Sequence, residues 1–207
     1  MQNKLIVSAG CAALLGVAAT SASADITLDP NFTSGFSSDY TFVATPDKAG
    51  PGGSWVEGTY AIDTNPNNDH ALWSSFTSPS GGDMLIANGS PNAGARVWYE
   101  TLGPGTYDFS ALVANNYAAS PADLVLELNG TQITSGFSAP DPPGTWSVWN
   151  DTFTVSGSEV LSIVDLNTTR GGNDFALAQS VPDCGATSAM LGLATTAFIF
   201  VRRNFGK

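Results

Sequence analysis

The sequence predicts an all-β protein, a single β-sandwich, and three observations carry this prediction. Apolar and polar side chains alternate in segments such as 106–113 and 124–128, which is the period of a strand with one buried face. Turn-forming dipeptides rich in glycine separate these segments. No stretch between the two ends of the chain has a helical period, and charged residues make up only 12% of the chain. Short strands joined by glycine turns are typical of a sandwich.

About eight strands follow from this pattern. The predicted strands are 54–62, 83–87, 95–102, 106–113, 124–128, 146–155, 159–166 and 173–180. Turn signals lie at 88–89, 103–105, 129–130 and 156–158. Four longer loops are predicted at 37–53, 63–70, 115–121 and 136–144.

The amino-terminal end, residues 1–24, has the layout of a signal peptide. Lys4 provides the positive start, 5–19 the apolar stretch, and 22–24 the small-x-small pattern that signal peptidase reads. Cleavage is therefore predicted between Ala24 and Asp25. A permanent amino-terminal anchor is an alternative, and a lipoprotein attached through Cys11 is another, although Cys11 is not preceded by a large aliphatic residue.

The carboxy-terminal end, residues 181–207, has three parts: a short motif, an apolar run over 186–201, and the pair Arg202 and Arg203. At about 1.5 Å per residue the 16 residues of this run extend about 24 Å, which is close to the thickness of a thin hydrocarbon layer, roughly 27 Å. Paired arginines favour the cytoplasmic side. The sequence therefore predicts a transmembrane helix over 186–201 with a basic end inside. The motif that precedes it reads Val181, Pro182, Asp183, Cys184, Gly185.

This tail resembles the VPDSG-CTERM class of sorting signals, whose plan is a five-residue motif, one transmembrane helix and a basic end. Cys184 stands where that class usually has serine. The resemblance implies an exported protein whose tail is recognised by an exosortase-type membrane transpeptidase. The protein would then be anchored in the envelope membrane or released to the cell surface or extracellular matrix. The alternative is a permanent single-pass anchor.

The segment between the two signals, residues 25–180, is long enough for one domain with a sizeable core. It contains 17 acidic residues and three basic ones, Lys48, Arg96 and Arg170, so its net charge is −14. A domain this acidic repels phosphate backbones, which excludes nucleic-acid binding. Both cysteines lie outside the segment, so no disulfide can form within it.

A second set of residues spans nearly the whole of 63–180: 65–66, His70, Trp73, 82–86, 88–89, 97–98, 105–107, Pro121, Leu126, 129–130, Trp146 and 172–177. In this order they resemble the galactose-binding-like jelly-roll domains of secreted bacterial proteins. The resemblance implies a jelly-roll sandwich that recognises carbohydrate. Two aspartates commonly follow the last strand motif in such domains, and here Ala178 and Gln179 stand in their places, so functions of those carboxylates are not carried over.

Three residues are candidates for ligand contact. Sugar rings pack their C–H faces on aromatic side chains, and a guanidinium fork binds oxygen groups in pairs. Trp149 and Tyr117 are predicted to be the outward-facing aromatics among several that pack in the core. Arg96 is one of three basic residues in the domain and is predicted either to form an ion pair or to bind ligand.

Oxygen-bearing side chains alternate along 63–69, as the ligands of a calcium loop do. An EF-hand loop would have glycine and glutamate where Asn68 and Ser74 stand, so that specific motif is absent. Two interpretations stay open: a turn in which the side chains cap their own backbone, and a calcium site completed by distant residues. The candidate calcium ligands are Asp63, Asn65, Asn67 and Asp69.

No signature of a known enzyme mechanism occurs in the chain. His70 is the only histidine, so zinc sites lack ligands and a structural histidine is the simpler interpretation. We therefore expect a non-catalytic, exported surface or matrix protein whose domain binds polysaccharide and which has no organic cofactor. A purely structural matrix protein and a polysaccharide-acting hydrolase are the alternatives.

Overall fold

The structure, a computed structural model, describes residues 23–28, 36–44, 56–119, 121–168 and 173–180. Within these residues it contains twelve strands in two sheets and one four-residue helix, which confirms the predicted all-β sandwich. The elements are β1 (Ala24–Thr27), β2 (Thr41–Phe42), β3 (Thr59–Asp63), α1 (Pro66–Asp69), β4 (Met84–Asn88), β5 (Arg96–Leu102), β6 (Gly105–Asn115), β7 (Asp123–Leu128), β8 (Thr131–Gln132), β9 (Phe137–Ser138), β10 (Ser147–Val155), β11 (Glu159–Asp165) and β12 (Phe175–Gln179).

The predicted signal peptide, apart from its last two residues, and the whole predicted sorting tail lie outside the described residues. This includes the predicted transmembrane helix over 186–201. Within the described part of the chain, no helix has the length and apolar character needed to cross a membrane.

The larger sheet, sheet A, has seven strands and is organised around β6. One edge of β6 pairs antiparallel with β10. Its other edge pairs parallel with β1 in its first half and antiparallel with β12 in its second half. From β12 the sheet continues through β4 and β3 to β2. The smaller sheet, sheet B, has the order β5, β11, β7, and both β8 and β9 pair with β7.

All eight predicted strands are present. They are the five strands β3 to β7 and the three strands β10 to β12. The strands that sequence patterning missed are short: β1 has four residues, and β2, β8 and β9 have two each. The helix α1 was also missed. It starts because the Asn65 side chain accepts a hydrogen bond from the Asn67 amide and Pro66 occupies the first turn.

One predicted turn is confirmed and one is wrong. Asn129 (φ 49°) and Gly130 (φ 77°) both adopt the left-handed conformation that a tight hairpin between β7 and β8 requires. Asn88, in contrast, is the last residue of β4 and pairs with Thr59. Gly89 follows it for a packing reason, because a Cβ atom there would lie 1.9 Å from the side chain of Asn173.

The main core lies between the sheets, where alternate residues of β6, β11 and β12 meet. The ring of Trp149 is part of this core: it is 3% exposed and lies 5.0 Å from Phe109 and 5.5 Å from Phe137, centroid to centroid. The prediction that Trp149 faces outward is therefore wrong. Trp149, Phe153 and Val155 form the apolar face of β10, which turns inward. Truncating such a ring typically costs about 3–5 kcal/mol.

A second apolar cluster covers the outer face of sheet A. Its strand residues include Met84, Ile86 and Leu112, and loop side chains lie over them. Trp73 is the buried centre of this cover, and Tyr117 packs against the cluster from the loop that follows β6. This loop layer forms one wall of the cleft described below.

Three carboxyl groups are buried in the part of the chain that the structure describes. Burial raises the pKa of Asp69 to about 7 and the pKa values of Asp165 and Asp174 to about 6. Asp165 is 3% exposed, and its Oδ1 atom accepts hydrogen bonds from the amides of Asp123 (2.9 Å) and Asn167 (3.0 Å). A carboxyl whose folded pKa is raised stabilises the fold below its unfolded pKa, and that stability is lost as the pH rises through the folded pKa.

We therefore predict that the free energy of unfolding falls as the pH rises from about 4 to about 7. In Asp165→Asn, which keeps the Oδ1 acceptor, this fall should shrink by at most about 3 kcal/mol. Urea unfolding at several pH values measures the effect. Asp151→Asn, at a partly buried position on the edge strand β10, is the matched control and should keep the wild-type pH dependence. An unchanged slope in Asp165→Asn would show that this carboxyl is not responsible.

Candidate functional site

A cleft of about 250 Å³ opens where the loop layer meets one end of sheet A. Its walls combine two aromatic rings, an imidazole, two carboxylates and an amide. This combination matters because sugars present apolar C–H faces together with hydroxyl groups. The lining residues are Glu57, His70, Leu72, Trp73, Asn88, Tyr117 and Asp174.

Sheet A supplies three polar residues of the cleft. Asn88 ends β4, Asp174 directly precedes β12, and Glu57 lies two residues before β3. Because β4 is antiparallel to both β3 and β12, its end lies beside their starts. The register of the sheet therefore brings these three side chains to one edge of the cleft.

The segment after α1 supplies the opposite wall. The His70 amide donates to the carbonyl of Pro66 (3.1 Å), and the Trp73 amide donates to the carbonyl of His70 (3.1 Å), so the chain turns tightly here. The indole Nε1 of Trp73 donates to Oδ2 of Asp174 at 2.9 Å, which ties the loop layer to the sheet. The His70 ring packs on the indole with centroids 5.2 Å apart.

Tyr117 lies on the loop that leaves β6. The neighbouring Asn116 is anchored twice, because its amide donates to the carbonyl of Asp174 (2.9 Å) and its carbonyl accepts from the amide of Ser74 (3.0 Å). Tyr117 is partly buried, with its ring against the outer cluster and facing the cleft. The sequence-predicted contact at Tyr117 thus lies in the cleft, and its role in binding is taken up below.

The cleft is acidic. Asp174 is 6% exposed, and burial raises its pKa although hydrogen bonds from Trp73 and Gly89 act in the opposite direction. The nearby Glu57 carboxylate raises it further. Oδ1 of Asp174 is buried without a hydrogen-bond partner. Burial lowers the pKa of the His70 imidazole.

Arg96 and Trp149, the other two predicted contacts, lie away from the cleft. Arg96 is on β5 of sheet B, and its Nε and Nη2 atoms donate to both carboxylate oxygens of Asp39 at 2.8 and 2.9 Å. Its guanidinium carbon lies 3.8 Å from the ring centroid of Tyr99. The guanidinium holds the pKa of Asp39 below its usual range. The fork of Arg96 is therefore engaged in the ion pair that the sequence allowed as an alternative.

Three of the four candidate calcium ligands make turn contacts. Oδ1 of Asp63 accepts from the amides of Thr64 (2.6 Å) and Asn65 (3.1 Å) and from Nδ2 of Asn68 (2.8 Å). Oδ1 of Asn65 accepts from the amide of Asn67 (3.0 Å). Nδ2 of Asn67 donates to the loop layer at the carbonyl of Trp73. These are the contacts that the turn interpretation predicts.

Asp69 differs from the other three. It is fully buried, both of its carboxylate oxygens lack hydrogen-bond partners, and its pKa is raised by burial and by the charge of Asp63. An unpaired buried carboxylate is a group that a cation would stabilise. Over the described ranges, however, no three side chains of His, Cys, Asp and Glu gather as a metal-binding group.

Calcium binding at this loop stays a prediction with a direct test. If the loop holds the ion, millimolar Ca²⁺ should raise the melting temperature of the wild type, because the ion binds the native state preferentially. Asp69→Asn should abolish that rise. Identical melting curves with Ca²⁺ and with a chelator would leave only the turn interpretation.

Sequence reasoning did not select Glu57, Asn88 and Asp174 as site residues. Asn88 and Asp174 lie in segments that carry the jelly-roll resemblance, but a sequence gives no measure of which strand ends become neighbours. Trp73 also belongs to the residues of the jelly-roll resemblance, but no pattern in the sequence predicts that it contacts a ligand. The signal that could have found the site is the sheet order, which brings β4 and β12 together.

The described residues form a β-sandwich. Residues 180–205 match the family described as the VPDSG-CTERM motif, which confirms the resemblance of the tail and indicates an exported protein with a sorting signal for the cell surface. No curated protein sequence matches the chain.

Several solved structures are similar to the chain at low sequence identity. One is the CBM22-1 xylan-binding domain from Paenibacillus barcinonensis Xyn10C, with 15% identity, 76% of this chain and 94% of that chain covered, and a TM-score of 0.44. Another is CBM35 from Paenibacillus barcinonensis, with 16% identity, coverage of 75% and 98%, and a TM-score of 0.30. A third is the EclA C-terminal domain, a sugar-binding protein, with 19% identity, coverage of 45% and 72%, and a TM-score of 0.39.

Proposed function

We propose that this protein is held at, or released from, the cell surface and that its β-sandwich binds carbohydrate without catalysis. The observation that carries the proposal is the cleft of about 250 Å³. The partly exposed ring of Tyr117 lines it together with Asp174 and Asn88. Binding sites for small ligands are typically concave and combine aromatic walls with a few polar groups.

Each wall has a separate role in this proposal. The rings of Tyr117 and His70 offer faces for the C–H groups of a sugar ring. Asn88 and Asp174 line the same cleft and contribute the polar groups that fix the orientation of a sugar. The volume is slightly below the roughly 300 Å³ at which pockets for drug-sized ligands begin. The cleft therefore suits one ring of a chain whose remainder extends into solvent.

A polysaccharide-acting hydrolase is a second candidate, favoured by one observation. Glu57 and Asp174 line the same cleft, and glycosidases use a pair of carboxyl groups. A structural matrix protein without a ligand is the third candidate. The binding experiment below separates all three, because a hydrolase releases new reducing ends and a structural protein retains no polysaccharide.

The tail determines where this binding occurs. In our proposal, signal peptidase cuts between Ala24 and Asp25, and the helix predicted over 186–201 halts export. Pro182 cannot continue a helix and favours an extended Val181, so the motif would lie at the outer surface within reach of an exosortase-type transpeptidase. A permanent membrane anchor is the alternative.

We predict that Tyr117→Ala weakens polysaccharide retention about two- to tenfold, because loss of a stacking ring is worth about 0.5–1.5 kcal/mol. Affinity electrophoresis on gels with embedded polysaccharides measures retention. The matched control is Tyr99→Ala on sheet B, where the ring lies under Arg96, and its retention should equal that of the wild type. Loss of retention in Tyr99→Ala or Arg96→Ala alone would move the site to sheet B, and release of reducing ends would favour the hydrolase.

Mass spectrometry of the surface protein from its host tests the proposed processing. The expected form begins at Asp25 and lacks Arg202, Arg203 and Lys207. A mass that retains these three residues identifies the tail as a permanent anchor. A form that begins at Met1 rejects cleavage of the signal peptide.

A further inference from the structure

One nitrogen of the His70 imidazole is engaged within the protein. The amide of Leu72 donates to Nδ1 at 3.2 Å, so Nδ1 is an acceptor in this contact. A neutral imidazole has one donor nitrogen and one acceptor nitrogen, and a protonated imidazole has two donors. The contact with Leu72 therefore assigns the proton of the neutral ring to Nε2. Because the charged form also has a proton on Nε2, this nitrogen is a donor in either state.

The second nitrogen, Nε2, is available to a ligand. The ring bonds to the Leu72 amide and packs on the indole of Trp73, and no described residue accepts a hydrogen bond from Nε2. The side chain is only partly buried, and it lines the cleft. The structural role that the sequence predicts for His70 accounts for Nδ1 alone, which leaves one unused donor beside the cleft.

Contacts with three residues hold the imidazole in position. His70 follows the last residue of α1, and its amide donates to the carbonyl of Pro66 at 3.1 Å. Its carbonyl accepts from the amide of Trp73 at 3.1 Å, and its ring lies on the indole of the same residue. The Leu72 amide restrains the plane of the ring through Nδ1. A donor that is held in place before binding loses little side-chain entropy when a ligand arrives.

Sugar oxygens match such a donor. A hydroxyl group accepts hydrogen bonds through two lone pairs while it donates its own proton to another group. Asn88 lines the same cleft and offers an amide for that second bond, and Tyr117 offers a ring for the C–H face of the sugar. A site that donates to a ligand oxygen rejects an analogue without that oxygen, because its donor is then left unpaired.

We propose that His70 is a ligand-binding residue of the cleft and that its Nε2–H donates a hydrogen bond to an oxygen of the bound sugar. This inference rests on the proposed carbohydrate-binding function and assigns a donor that orients the ligand. Leu72 is a positioning residue in this arrangement, because its amide selects the tautomer with the proton on Nε2.

Two substitutions at His70 separate the ligand donor from the turn. His70→Asn keeps an acceptor near Nδ1 for the Leu72 amide and removes the donor at Nε2; Asn65 makes the same contact with the amide two residues on, at 3.0 Å. His70→Gln has a longer side chain, so it keeps a donor near Nε2 and removes the acceptor for Leu72. Both substitutions remove the ring, so each variant is the matched control of the other.

We expect His70→Asn to weaken polysaccharide retention about two- to tenfold relative to His70→Gln, which is the value of one hydrogen bond. Affinity electrophoresis measures retention on the polysaccharide that the wild type retains. Urea unfolding should give the opposite order, with His70→Asn the more stable variant. Retention that follows the order of stability would show that His70 acts through the turn alone and would overturn the proposal. Equal retention by the two variants would overturn it as well, because the donor then contributes nothing.

The wild type allows a direct test, since His70 is the only histidine in the chain. The sample is the untagged, ¹⁵N-labelled full chain in detergent at about pH 8, above the usual pKa of histidine. The imidazole ¹H–¹⁵N spectrum should show the proton on Nε2. An oligosaccharide of the retained polysaccharide should shift the Nε2 resonance and slow the exchange of its proton with water.

Other outcomes separate this inference from the proposed function. A proton on Nδ1, or an Nε2 resonance that saturating oligosaccharide leaves unchanged, overturns the role of His70 and keeps carbohydrate binding. If the wild type retains no polysaccharide in the electrophoresis, the proposed function itself fails, and the role of His70 fails with it.

Discussion

The pairing of β6 on both edges determines which side chains face which layer. Its eleven residues pair with β10 on one side and with β1 and β12 on the other. Phe109, Ala111 and Val113 therefore face sheet B, while Leu112 faces the outer loop layer. A slip of one residue would exchange the two sets and expose the core. The cleft depends on the same register, because Asn116 and Tyr117 follow directly from this strand.

The long strands could be predicted from sequence because each has a clear apolar period and lies in the sheet interior or pairs over many residues. The two-residue strands could not, since no period can be read from two residues; β8 and β9 exist only because β7 presents a free edge to them. The tight Asn129–Gly130 hairpin was predictable from its residue types alone. Gly89 was not, because its reason is the side chain of Asn173, which is distant in sequence.

The candidate site was less predictable than the fold. The alternation of β10 already contained the answer for Trp149, since Phe153 and Val155 share its face and are apolar. The cleft contained no such local signal. The hydrogen bond between Trp73 and Asp174 joins residues 101 positions apart, and the burial that raises the pKa of Asp174 depends on both layers being assembled. Long-range neighbours of this kind follow from the sheet order, which composition and spacing do not encode.

The position of the last strand has a mechanical consequence. β12 lies inside sheet A, hydrogen-bonded to β6 on one side and β4 on the other, and ends at Gln179. The segment that matches the sorting motif begins at residue 180, so hardly any chain separates it from the strand. If the protein is tethered through this tail, as proposed above, a pulling force on the tether enters the sheet through β12. The hydrogen bonds that join β12 to β4 and β6 would then share the force. The tether would come free only when the bonds on both sides of the strand break.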